Sequence, residues 1–296
     1  MRQVQEQLNT DLVGLPEAKA ELQALIANVV VDAEREEAGM RVPNRTRHLI
    51  FAGNPGTGKT TFADGIAKIY HALNVVPKDK VSRVTGVDLI SPYENGTPKR
   101  VKEKFEAAKG GVLFIDEAYG MVTGQQNEAG QQAVDTLNEL ITANPDTVVI
   151  MAGYPDRLNE IFALNEGMAR RFPTTITFSN FSAEDRRSIL RAKMDKDGFT
   201  FGSGEQGKRA KSLMLDALLD TGDGNAGDVE NLWSKVLQAH SARIAPLLAS
   251  SKDKQALLRR LTAEDVQVGH DMFVAQSRVE NPIRQLVAVP NGRKRS

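Results

Sequence analysis

Eight consecutive residues, Gly53-Asn54-Pro55-Gly56-Thr57-Gly58-Lys59-Thr60, stand between an apolar run and a helical pattern. The run Arg47–Gly53 (RHLIFAG) reads as a buried strand, and Lys59–Leu73 carries apolar residues at helical spacing. The octapeptide fits G-x-x-x-x-G-K-[ST], and strand–loop–helix is the setting in which that pattern has a mechanism. Glycines let successive backbone N–H groups converge on phosphate oxygens, and the helix N-terminus adds the positive end of its dipole. In that geometry Lys59 reaches the β- and γ-phosphates of a nucleoside triphosphate. Thr60 offers its hydroxyl to Mg²⁺. The loop Gly53–Thr60, with Thr61, is the expected cradle for ATP.

The pattern around this loop is repetitive. Strands are expected at Val81–Thr85, Val112–Ile115, Thr147–Ala152 and Thr174–Phe178, with helices at Lys59–Leu73, Lys99–Ala108 and Gln131–Ala143 between them. Several strands are too apolar to keep one face in water, so the reading is a parallel sheet covered on both sides by helices. An amphipathic helix over residues 12–30 precedes it. After Phe178 the strands stop. Ser182 and Asp185 have the spacing of a capping box, and helical patterns follow near Lys208–Leu219, Val229–Leu248 and Thr262–Gln276. The expected organisation is an α/β nucleotide-binding domain over 1–180, a small all-helical lid over 181–276 and a flexible tail over 277–296.

Val112-Leu113-Phe114-Ile115-Asp116-Glu117 ends an apolar strand in two acids. That places carboxylates at the C-terminal edge of the sheet, where open α/β folds bind ligands. Asp116 is expected to hold Mg²⁺, directly or through water, and Glu117 to polarise the water that attacks the γ-phosphate. A second carboxylate beside the metal ligand argues for hydrolysis over binding alone.

Composition narrows the rest. Lys+Arg and Asp+Glu are 38 each, so the basic excess usual in nucleic-acid binders is missing. No cysteine is present, which removes disulfides, thiolate zinc sites and a cysteine nucleophile. No apolar run approaches the ~20 residues of a membrane span, and MRQVQEQLNTDLVG lacks a signal-peptide core. A cytoplasmic protein is the expectation. His48, His71, His240 and His270 have no metal-ligand spacing, and Trp233 among Leu232, Val236 and Leu237 reads as packing.

The chain resembles the AAA+ branch of red-type Rubisco activases, type VII secretion EccA ATPase domains and stage V sporulation protein K. The resembling stretches are DLVGLPEAK (Asp11–Lys19), FAGNPGTGKTTFA (Phe51–Ala63), GGVLFIDEAY (Gly110–Tyr119), QQAVDTL (Gln131–Leu137), VVIMAGYPD (Val148–Asp156), RRFPTTITF (Arg170–Phe178) and GNAGDVENL (Gly224–Leu232). The resemblance implies a ring, a hexamer in relatives, with nucleotide held between subunits. It implies that Arg171, rather than Arg170, is an arginine finger for the neighbouring subunit, and that Val13 and Gly14 line the adenine pocket. Tyr154 falls at the sensor-1 position. Tyr93 falls in a loop that in relatives faces the pore and grips polypeptide, although here Glu94, Asn95 and Gly96 follow where relatives have an aliphatic residue and glycine.

One departure is in the lid. Relatives read approximately G-N-A-R-D-V-R-N, and this chain has Gly227 and Glu230 at the two arginine positions. The implied function is an ATP-driven motor that remodels an unidentified client protein. Two alternatives stand beside it: a nucleic-acid or assembly motor such as a helicase loader, and a nucleotide-gated scaffold with little turnover.

Overall fold

The computed structural model describes residues 13–42, 45–122, 127–221 and 224–287, the side chains of 127 and 278–287 excepted. The amino-terminal stretch up to Leu12 and the basic end NGRKRS lie outside the described residues. The chain divides into two compact units, Met1–Asn180 and Phe181–Ser296.

In chain order the first unit contains α1 (Pro16–Glu37), β1 (Leu49–Gly53), α2 (Lys59–Ala72), β2 (Val81–Thr85), α3 (Thr97–Ala108) and β3 (Val112–Asp116). It continues with α4 (Asn127–Ala143), β4 (Val148–Gly153), α5 (Pro155–Leu164), α6 (Glu166–Ala169) and β5 (Thr174–Phe178). The strands form one parallel sheet in the order β2-β3-β4-β1-β5. This is the expected α/β architecture. β1 and β3, which carry the two motifs, flank β4, so both motif loops emerge at one edge on either side of its end.

Side-chain alternation along the strands divides the core. Leu113 and Ile115 of β3 point into a cluster with Val101, Phe105, Val134, Leu137 and Ile161 from α3, α4 and α5. Phe114 points the other way, towards Phe51, which meets Phe62 of α2 edge-on at a centroid distance of 5.7 Å and Phe178 of β5, tilted, at 5.0 Å. Phe62 and Phe178 meet edge-on at 5.2 Å. These buried rings fasten the first turn of α2 to the sheet. The loop that connects them is thereby held from both ends.

The second unit is helical: α7 (Ala183–Asp197), α8 (Gly204–Ala217), α9 (Asn225–Ile244), α10 (Lys254–Arg259) and α11 (Ala263–Val287). Ser182 and Asp185 form the capping box that opens α7. Trp233 is buried in α9, stands edge-on to Phe199, and donates its indole N–H to Asp197 at 2.8 Å. Two features go beyond the sequence reading. β6 (Thr200–Phe201) pairs in parallel with β7 (Arg260–Leu261), a ladder too short to leave a periodic signal. The last helix runs to Val287, past the Ser277 at which a loose tail was expected. The helix continues through Pro282.

Asp265, 1% exposed, gathers this unit's polar groups. It accepts from Arg243 Nε at 2.6 Å, Arg243 Nη2 at 2.8 Å and the Thr262 N–H at 2.8 Å, with His240 Nδ1 at 3.3 Å. Burial alone would raise this carboxyl, but the bonds from Arg243, Thr262 and His240 hold it below the ordinary range.

Candidate active site

Lys59 is the first residue of α2, and its ammonium folds back over the preceding loop. Nζ donates to the carbonyl oxygens of Gly53 at 2.9 Å and Asn54 at 2.7 Å. The loop holds its shape through Gly56 (φ 71) and Gly58 (φ 88), both left-handed, and through Thr57, whose buried hydroxyl donates to Asn54 O at 2.8 Å. Asn54 reaches Asn180 at 2.9 Å. Thr60 and Thr61 are exposed at the mouth of the helix. Burial lowers the Lys59 amine below its ordinary value, and the carboxylates of Asp116 and Glu117 act in the opposite direction. A desolvated cation beside two acids is the electrostatic core of the site.

Asp116 ends β3 and accepts the Glu117 N–H on Oδ1 at 2.9 Å. Glu117 adopts φ 45, a left-handed conformation uncommon for a side-chain-bearing residue. It heads the tight turn Ala118–Met121, closed by Gly120 N–H to Glu117 O at 2.7 Å. Gly86 allows this turn: a Cβ there would stand 2.6 Å from Glu117 O. Glu117 itself is exposed at the edge of the sheet. Sequence reasoning missed its neighbour Tyr119. Burial, then the adjacent Glu117 charge and hydrogen bond, push the Tyr119 phenol up to about 12. Its ring lies 5.9 Å from Tyr154, and the Arg157 guanidinium sits 4.9 Å from its centroid. Tyr154 thus follows β4 between the two motif strands, next to Glu117's partner. The only signal in sequence was Tyr119's place two residues after the acid.

The donor set suits a magnesium triphosphate. Left-handed glycines aim backbone N–H groups, Lys59 supplies a buried cation, and the Thr60 hydroxyl and Asp116 carboxylate are oxygen ligands of the kind Mg²⁺ accepts.

Arg171 does not join this group. It lies three residues before β5, whose first residue, Thr174, pairs with Leu49 at the start of β1, whereas Phe178 pairs with Gly53 at the loop. The length of β1, about 13 Å, separates the two edges of the sheet. Arg171 lies instead near His48, whose imidazole is driven down to about 4 by burial and then by the Arg171 charge. His48 Nδ1 accepts the Val149 N–H at 3.0 Å and is a buried structural residue. Val13 and Gly14 lead into α1 through Gly14 (φ 67) and Leu15 (φ 57). Tyr93, 79% exposed, stands in a loop closed by its own carbonyl on the Gly96 N–H at 3.1 Å.

Residues 49–180 match the ATPase family associated with various cellular activities (AAA). The plasmid-encoded protein CbxX of Cupriavidus necator is 31% identical over 281 residues, 94% of this chain and 88% of that protein. The chain belongs to the CbxX group of AAA ATPases. Stage V sporulation protein K of Bacillus subtilis is 28% identical over 272 residues, 90% of this chain and 83% of the relative. The crystal structure of the FIGL-1 AAA domain in complex with ADP superposes with a TM-score of 0.54 at 19% identity, covering 96% of this chain and 85% of that one. That last likeness concerns the fold. Membership of the AAA ATPases carries nucleotide binding and hydrolysis as the family activity. In this CbxX-type ATPase Gly227 lies in the first turn of α9, and Glu230 pairs with Lys193 at 3.2 Å.

Proposed function

We propose that this protein is a Mg²⁺-dependent ATPase that works as a ring, hexameric by its resemblance, and remodels a client protein. The observation that carries the reading is the buried Lys59 ammonium beside Asp116 and Glu117, above two left-handed glycines at the sheet's C-terminal edge. In this reading the loop Gly53–Thr60 and Thr61 cradle the phosphates, Lys59 engages the β- and γ-groups, and Thr60 and Asp116 hold the metal. Mg²⁺, when bound, neutralises charge on the phosphate oxygens. Glu117 accepts a proton from the attacking water, its carboxylate oriented by the Tyr119 hydroxyl. Val13 and Gly14 border the base. Arg171, remote from its own chain's Lys59, serves the site of the next subunit, where its permanent charge and planar fork suit a γ-phosphate.

Zero net charge and the exposed Tyr93 favour a protein client over nucleic acid. Among the described residues no helix is long and apolar enough to cross a membrane. A cytoplasmic setting accords with the cysteine-free sequence.

The deciding experiment is Glu117→Gln. Mg·ATP binding is expected to persist by calorimetry, with turnover reduced about 100-fold or more. Wild-type turnover in that variant removes Glu117 as the base. Wild-type protein that binds Mg·ATP and releases no phosphate establishes the scaffold alternative instead.

A further inference from the structure

One face of α4, away from the side that packs Ala133, Val134, Leu137 and Ile141 into the core, carries a polar row. Gln131, Asp135, Asn138 and Thr142 follow at intervals of four, three and four, which aligns them on the helix surface. The first part of this row fixes a backbone. Asp135 Oδ1 accepts from Gln131 Nε2 at 3.0 Å and from Asn165 Nδ2 at 2.7 Å. Asn165 in turn caps α6 by accepting the Met168 N–H at 3.2 Å. Arg171 leaves that short helix with its own N–H on Met168 O at 3.0 Å.

The last residue of the row meets the side chain. Thr142 Oγ1 donates to Asn138 O at 2.7 Å, which commits its single proton. Its lone pairs face Arg171, from which it accepts Nε at 3.2 Å and Nη2 at 2.6 Å. Arg171 Nη1 donates to Gly167 O at 3.1 Å. Three of the five guanidinium N–H groups are engaged in this way. All their acceptors are neutral oxygens. Among the described residues no carboxylate pairs with Arg171. The charge is held in place without being neutralised, and two N–H groups are left for an anion with two acceptor oxygens.

We infer that Thr142 is a positioning residue that presents the Arg171 fork to a phosphate bound by another copy of this chain. The inference rests on the reading of Arg171 as a finger acting between subunits. A free arginine side chain carries about 2 kcal/mol of rotamer entropy, which has to be lost before its fork is aligned. Thr142 and Gly167 remove much of that freedom before the subunits meet, so less is lost as charge develops on the transferring group. Threonine suits the position because its hydroxyl donates within α4 and accepts from Arg171 at once. Valine has nearly the same shape and neither function.

The test compares Thr142→Val with Thr142→Ser in the assembled protein. Thr142→Val is expected to lower kcat about fivefold to tenfold while leaving KM for ATP within about twofold, and Thr142→Ser to restore kcat. A mixing experiment separates positioning from folding. Subunits carrying Lys59→Ala lack a working loop and can help Arg171→Ala subunits only by lending Arg171. Thr142→Val added to the Lys59→Ala subunit should reduce the restored turnover. The same change in the Arg171→Ala subunit, which has no finger to position, should have no further effect. Equal losses in both placements, or wild-type kcat in Thr142→Val, overturn the inference. Wild-type kcat in Arg171→Ala overturns instead the reading beneath it.

Discussion

Gly53 and Phe178 approach so closely at the ends of β1 and β5 that a Cβ on residue 53 would stand 2.4 Å from the Phe178 carbonyl oxygen. Glycine is therefore required here by the sheet, in addition to any role at a phosphate. Gly53→Ala must push β5 aside or distort the loop. Overpacking of this kind costs about 1–3 kcal/mol, which for a unit of this size lowers Tm by about 2–4 °C per kcal/mol. Differential scanning calorimetry without nucleotide checks it, and an unshifted transition would show that the two strands part easily.

His48 is 6% exposed and its folded-state pKa is lowered from 6.5 to about 4. Between those values the unfolded chain binds a proton that the folded chain does not, so stability is full above pH 6.5 and declines as pH falls towards 4. The loss reaches about 3 kcal/mol over that window. Asparagine can offer an oxygen to the Val149 N–H without titrating there. His48→Asn should flatten the urea-denaturation midpoint between pH 6.5 and 4, and an unchanged slope would assign the dependence to other groups.

The Arg243–Asp265 pair is expected to decide the stability of the second unit. Asp265→Asn leaves the Arg243 cation facing a neutral group where a carboxylate met it at 2.6 Å. Breaking a buried pair on one side costs about 3 kcal/mol or more. The sole tryptophan, Trp233, lies in this unit and reports its unfolding by fluorescence. A midpoint equal to wild type would mean that Asp265 is easily replaced.

Tyr93 offers the sharpest test of how a client is held. Tyr93→Ala is expected to keep basal ATP hydrolysis within about twofold, because the loop lies outside the phosphate cradle. Remodelling of a client protein, identified by its retention on the ATP-bound Glu117→Gln variant, should be lost. If remodelling continues at the normal rate, the aromatic is not the grip.

Much of this fold was legible in sequence because its strands are short, apolar and buried on both faces. Every residue of β4 is buried, and the pattern VVIMA announced it. The phosphate loop was legible for a different reason: its chemistry needs glycine and lysine at fixed spacing. What escaped notice depends on side chains that meet only in three dimensions. Tyr119 looked like an ordinary residue after the acids until its ring fell between Glu117 and Tyr154. Thr142 is separated from Arg171 by 29 positions, and no local pattern predicts their bond. α5 and α6 leave no clear sequence signal because Pro155, which opens α5, and Asn165, which caps α6, look in sequence like loop residues.

Gly227 has open surroundings: a Cβ built there meets nothing within 4 Å, and its φ is not left-handed. No local crowding around this position excludes the arginine that the family resemblance implies there. Helix α9 would accept the longer residue, and replacing glycine inside a helix is itself favourable by about 1 kcal/mol. If this helix responds to nucleotide as the resemblance implies, that response can be adjusted by a single substitution at position 227, with no compensating change required around it.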